Sequence, residues 1–343
     1  MVRLALIRHG HSVANAHMEA VMERARRGEI ATADINKALR DAPPGAEAGA
    51  DAALSGRGEE QAELLAGAWA PLLEAKARRG QLRVFVSPYL RTLQTADGLM
   101  RRLQRAAPGL KAAVLPAVME AAGLVSGPDF QRFDELDRLR RAGRREEAVE
   151  RLRGFAWEPM GLTGQEIVRR FPWARAVGPG DEELFPTEEA GCGASVPTAL
   201  PMETPWWTGG FESSKRTAAR LAGVAAWIDG TLRAALPDGD LVVFVTHGQA
   251  IEMLSRLLAE AAQARSPAAA EGDDVAVSYA GIRNTSVTVL TLPSPAYSFR
   301  GERPNASGHV ERFRARFEVF NDTSHLGLQP LRQWAADALS AKL

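Results

Sequence analysis

The chain has 343 residues, 45% hydrophobic and 24% charged, the composition of a globular protein long enough for one core with an insertion or for two domains. Lys plus Arg and Asp plus Glu stand at 42 each. No global field therefore favours nucleic acid or an anionic membrane, and a small-molecule partner is expected. A single cysteine, Cys192, excludes an internal disulfide framework.

The first residues enter an apolar run with no basic n-region and long h-region before it, and no stretch approaches membrane-spanning length. A cytoplasmic location is expected. Arg3 to Ile7 predicts a strand, and Arg8-His9-Gly10-His11-Ser12 follows where it leaves its sheet. Gly10 is expected to allow a tight turn whose N–H groups approach an anion. Gly58 to Lys76 places Ala62, Leu65, Trp69, Leu72 and Leu73 on one helical face. Leu82 to Ser87 reads as a second strand, followed by Ser87-Pro88-Tyr89-Leu90-Arg91-Thr92 and a helix from Arg91 to Leu103. Ala112 to Leu115 reads as a third strand, with Glu120 just beyond it.

From about Leu124 to Gly210 strand signals vanish, and this stretch reads as an insertion. It holds a charged helix, Phe130 to Phe155, a turn and helix start at Gly161 to Ile167, and a Gly/Pro/acidic loop from Gly178 to Pro205. Trp206-Trp207 closes the loop as packing anchors. A helix from Phe211 to Leu236 leads to the fourth strand, Leu241 to Thr246, then Thr246-His247-Gly248 and a helix from Gln249 to Leu258. Ser286 to Leu292 and Phe313 to Phe320 complete six strands. Strands alternating with amphipathic helices predict an α/β fold with a mostly parallel sheet. One pocket at the ends of neighbouring strands could then collect Arg8, His9, Arg91, Glu120 and His247.

These ordered motifs resemble the histidine phosphatase superfamily, also called phosphoglycerate mutase-like. The resemblance is carried by Arg8-His9-Gly10, Leu54 to Ala62, Ser87 to Ala96, Glu120, Thr246-His247-Gly248 and Asn284-Thr285-Ser286. It implies a three-layer α/β/α sandwich with a six-stranded, mostly parallel mixed sheet. Residues 1–123 and 211–343 would form the core, and 124–210 a mainly helical cap.

Phosphoryl transfer asks for positioning, charge compensation and a nucleophile. Arg8, Arg91 and His247 suit the compensation, since a guanidinium binds phosphate oxygens bidentately and stays charged. His9 is the expected nucleophile, because flanking arginines favour its neutral imidazole. Glu120 is expected to protonate the leaving alkoxide and later take a proton from water, with Glu135 and Glu158 as alternatives. Asn15 matches the family Asn after Arg-His-Gly, and the helix start at Gly248 could add a dipole, so both join Arg8, Arg91 and His247 as phosphate-binding candidates. His11 and His325 are possible substrate contacts; His325 lies in a segment resembling a late loop of some members. No metal-ligand spacing stands out, and neither metal nor cofactor is expected.

Two departures separate the chain from cofactor-dependent mutases. His11 stands where they carry Glu, and Ala121-Ala122-Gly123 where they carry Arg-His-Tyr. Hydrolysis of a small phosphomonoester is therefore the leading expectation. A phosphoglycerate mutase-like phosphotransferase and a non-catalytic phospho-ligand module are the alternatives. The sequence leaves substrate and oligomeric state open.

Overall fold

The computed structural model describes residues 1–42, 51–121, 123–124, 159–177, 199–207, 214–260, 282–292 and 316–323, with positions 135, 138–139, 141–144, 146–147, 150–151, 212 and 326. In chain order they form β1 (Val2–Arg8), α1 (Val13–Arg26), α2 (Ile35–Arg40), α3 (Gly56–Arg78), β2 (Leu82–Val86), α4 (Leu90–Ala106) and β3 (Ala112–Val114). Next come β4 (Met160–Thr163), α5 (Gly164–Arg170), β5 (Ala174–Ala176), β6 (Pro205–Trp207) and α6 (Ser214–Trp227). The chain then runs through β7 (Leu241–Thr246), α7 (Gly248–Glu260), β8 (Val287–Leu292) and β9 (Arg316–Asp322).

The main sheet has the order β5-β3-β2-β7-β1-β8-β9. Pairing is parallel from β5 through β1 and antiparallel at β1–β8 and β8–β9. All six expected strands are present, the last shifted to Arg316–Asp322, and β5 adds a seventh at the edge.

Strand side chains alternate between the faces, and helices cover both, so β1 and β7 read as continuous apolar runs. Ala5, Ile7, Val84, Val86, Val243 and Val245 pack beneath Leu65, Trp69 and Leu73 of α3 and Leu93, Leu99 and Leu103 of α4. Leu4, Leu6, Phe85, Val242 and Phe244 face the other way, against Leu221 and Val224 of α6 and Ile251, Leu254 and Leu258 of α7. Removing an aromatic such as Trp69 from this packing costs about 3–5 kcal/mol. The expected helix from Phe211 to Leu236 is observed as α6, followed by a π turn over Ile228–Leu232 and a last turn at Arg233–Ala235.

The expectation of a strandless stretch from 124 to 210 is corrected. β4 and β6 form a separate antiparallel pair, and β5 joins the main sheet beside β3. These strands are three or four residues long, too short to show a period of two. Trp206 and Trp207 are buried, as expected of packing anchors. Most of the charged helix from Phe130 to Phe155, the loop from Gly178 to Pro205 up to residue 198, and Cys192 lie outside the described residues.

Candidate active site

Sheet register brings the motifs together. Arg8 stands level with Thr246 across β1–β7, and Val86 with Val245 across β2–β7. The next residues, His9, Ser87 and His247, therefore leave the carboxyl edge of three adjacent strands side by side. From β3 the chain continues through a single 3-10 turn, Pro116–Val118, to Glu120. The His9 and His247 rings meet edge to face with centroids 5.2 Å apart.

The turn after β1 is not the open anion nest the sequence predicts. The amide of His9 donates to the Thr246 carbonyl, Gly10 to Thr95 Oγ1, His11 to Gln61 Oε1, Ser12 to Asn15 Oδ1 and Val13 to the Ala53 carbonyl. Every amide from 9 to 13 is thus committed within the protein. Gly10 is also not in the left-handed region that favours glycine. It is required by close packing, since a Cβ there would lie 2.8 Å from the Gly58 carbonyl oxygen and 3.2 Å from Leu54 Cδ2.

The imidazoles are held in definite tautomers. His9 Nδ1 lies 2.7 Å from the Gly10 carbonyl oxygen. A carbonyl only accepts, so Nδ1 carries the proton and Nε2 the lone pair. His247 Nδ1 accepts from Arg91 Nη2 at 3.3 Å, which puts the proton on Nε2, 2.9 Å from Ser87 Oγ. Burial, reinforced by Arg91, holds both rings well below the usual imidazole range; Arg8 adds to the effect on both, as does His11 on His9, and His9 and Arg220 on His247. Both are therefore neutral near pH 7.

Arg91 is buried, with its guanidinium 4.2 Å from the centroid of the Tyr89 ring. Tyr89 in turn packs against His247 at 4.6 Å and Trp206 at 5.1 Å. Arg8 is anchored by donation to the Ile282 carbonyl. Glu120 places Oε2 3.7 Å from His247 Nδ1, with its side chain 21% exposed. Burial raises its proton affinity above the usual carboxylate range, against the opposing pull of Arg91. A carboxyl group beside two cationic side chains and two neutral imidazoles can deliver and recover a proton.

The remaining candidates divide. Gly248 opens α7, whose first-turn amides have no partner within the helix. Asn15 closes a capping box with Ser12 at the start of α1, and its Oδ1 also accepts from Asn284 Nδ2 at 3.3 Å. Asn284 Nδ2 and the Thr285 amide both reach the His9 carbonyl at 3.2 Å, and Thr285 holds a positive φ of 53° to do so. His11 is buried, with Nδ1 2.7 Å from Ser55 Oγ and Nε2 3.3 Å from Glu19 Oε2. Glu135 pairs with Arg151, whereas Glu158 and His325 lie outside the described residues.

Sequence reasoning missed Asp51 and Arg220. Asp51 accepts from the Leu90 amide at 2.7 Å, at the start of α4, and burial pushes its carboxyl up to about 6. Arg220 is buried on α6 and reaches the segment before Glu120. Neither carries a local motif, because the backbone that each one holds lies far off in the chain, Leu90 being 39 residues from Asp51.

One donor atom each from His9, Glu120 and His247 lies within 4.8 Å of the others, close enough for a metal ion. Arg8 and Arg91 beside that set oppose a divalent cation and favour an anion. No helix among the described residues is long and apolar enough to cross a membrane.

No family model and no curated protein matches the chain. Among solved structures, the chain is similar to an ecdysone phosphate phosphatase from Bombix mori in complex with tungstate, at 14% identity and a TM-score of 0.43, covering 85% of this chain and 89% of that one. It is also similar to a mycobacterial glucosyl-3-phosphoglycerate phosphatase, at 20% identity and a TM-score of 0.40, covering 94% and 99%. A phosphoserine phosphatase from Entamoeba histolytica matches at 16% identity and a TM-score of 0.39, covering 95% and 100%. Within the chain itself, Arg8-His9, Arg91, Glu120 and His247, the residues on which its resemblance to the histidine phosphatase superfamily rests, meet at one site on an α/β sandwich.

Proposed function

We propose that the chain is a metal-independent phosphomonoesterase of the histidine phosphatase superfamily, acting on a small phosphorylated metabolite through a phosphohistidine at His9. The observation that carries this reading is the His9 tautomer: Nδ1–H donates to the Gly10 carbonyl, and a neutral Nε2 remains as nucleophile beside Arg8, Arg91 and His247. Arg8 and Arg91 offset charge on the equatorial phosphate oxygens, with the α7 amides at Gly248 and the Asn15 side chain as further donors.

His9 Nε2 bonds to phosphorus as the ester P–O bond breaks, and protonated Glu120 gives its proton to the departing alkoxide. Water then attacks the phosphohistidine, the Glu120 carboxylate takes its proton, and inorganic phosphate leaves with His9 neutral again. Residues 124–210, apart from edge strand β5, are assigned as the cap that selects the substrate, with His11 and His325 as candidate contacts. The lone cysteine supports placement in the cytoplasm.

The test is phosphate release from a panel of phosphomonoesters in excess chelator, by wild type and His9→Ala. Turnover by the wild type that His9→Ala abolishes is expected, together with an acid-labile phosphoenzyme in rapid quench. Phosphoryl transfer to an acceptor with little phosphate release, or phosphate binding without turnover, would overturn the reading.

A further inference from the structure

We infer that Arg220, clamped by Glu212, is a positioning residue that holds the Glu120 segment against His247. This inference rests on the phosphatase reading above, with Glu120 as its acid and base. Arg220 and Glu212 each have side chains only 1% exposed. Arg220 Nε donates to Glu212 Oε1 at 2.8 Å and Nη2 to Oε2 at 2.6 Å, a bidentate pair. Thr217 Oγ1 donates to the same Oε2 at 2.8 Å and fixes the carboxylate in turn.

The other side of the guanidinium is spent on main chain. Nη1 donates to the carbonyls of Ala117 at 2.8 Å and Met119 at 3.2 Å, and Nη2 reaches that of Glu120 at 3.4 Å. The one carbonyl left between them, that of Val118, accepts from Thr246 Oγ1 at 2.5 Å. Thr246 immediately precedes His247 in the chain. Four consecutive carbonyls, from 117 to 120, are therefore tied to α6 and to the end of β7.

A buried ion pair is weak evidence for stability as such, because desolvating both charges offsets their attraction. Here it presents a fan of donors to a segment with almost no regular structure after its 3-10 turn. A lysine could not reproduce this, since its three rotatable donors lack the planar fork. The consequence lies at Glu120, whose 3.7 Å separation from His247 Nδ1 depends on where its backbone is held.

Leaving-group dependence separates positioning from bulk structural support. An alkyl phosphate needs a proton on its departing oxygen, whereas p-nitrophenolate leaves without one. In Arg220→Lys, kcat on an alkyl phosphate should fall about tenfold or more beyond its fall on p-nitrophenyl phosphate, with KM for both within about threefold of wild type. Glu212→Gln, which keeps the arginine but removes its clamp, reads the same ratio if Arg220→Lys does not fold. Equal losses on both esters, or no loss on either, would overturn the positioning role while leaving the phosphatase reading intact. A wild type that hydrolyses neither ester overturns both.

Discussion

Gly10 and Gly58 approach so closely that neither position has room for a side chain. A Cβ on Gly58 would lie 1.9 Å from the His11 carbonyl oxygen, and one on Gly10 would lie 2.8 Å from the Gly58 carbonyl oxygen. The contact sets the start of α3 against the turn that carries His9. Both obstacles are backbone atoms, which cannot rotate away, so Gly58→Ala should destabilise the fold by about 1–3 kcal/mol and lower turnover. Urea unfolding beside kcat measures the two effects; an unchanged midpoint would show that the turn yields without cost.

Arg91 disfavours a cationic His9, and in the proposed mechanism it also offsets phosphate charge. Arg91→Ala should reduce kcat by about 10²–10³-fold, in the range for loss of one preorganised donor. It should also move the acid limb of the kcat/KM profile upward, because burial then acts on His9 without that neighbouring charge. A profile whose acid limb stays in place would assign the limb to another group.

His247 donates from Nε2 to Ser87, so Nδ1 is its remaining polar atom. To donate to a phosphate oxygen it must gain a proton, and a bound dianion raises its affinity for one. Phosphate or vanadate binding at pH 7 should therefore be accompanied by proton uptake. Calorimetry in buffers of different ionisation enthalpy reads this directly, and the uptake should diminish in His247→Gln. Binding heats independent of buffer would contradict the coupling.

Stability should fall with acid just below the ordinary histidine range. His9 and His247 have folded pKa values well below 6.5, so between those values and 6.5 the unfolded chain binds more protons than the folded one. Unfolding free energy then rises with pH in that window, by up to about 1.4 kcal/mol per unit for each histidine. Asp51 acts with the opposite sign. Its pKa is raised from 3.8 to about 6, so its contribution is present below 3.8 and lost as pH rises through 6. Asp51→Asn should accordingly steepen the acid loss between roughly pH 4 and 6. Denaturant midpoints measured across this range for both proteins provide the check.

Strands β1, β2, β7 and β8 were legible because they are five to seven residues long and dominated by apolar side chains. Helices α3, α4 and α7 were legible from one-sided apolar spacing. Helix α1 was not, since Val21 is its one buried residue and the signal reduces to a Ser12/Asn15 capping box. β4, β5 and β6 escaped because so few residues show no period, and their pairing depends on partners remote in the chain.

By itself the sequence determined which chemistry-bearing residues stand at the ends of apolar strands: His9 after β1, Ser87 after β2, Glu120 beyond β3 and His247 after β7. That information is local, carried by periodicity and by the residues that interrupt it. Only the tertiary structure decided that β7 lies between β1 and β2, which juxtaposes His9 and His247 from segments far apart in the chain. It likewise decided that the amides of the first turn are consumed internally, which leaves the proposed phosphate to side chains and the α7 terminus. Hydrogen-bond partners tens to hundreds of residues apart are selected by sheet order and close packing, and no local pattern encodes either.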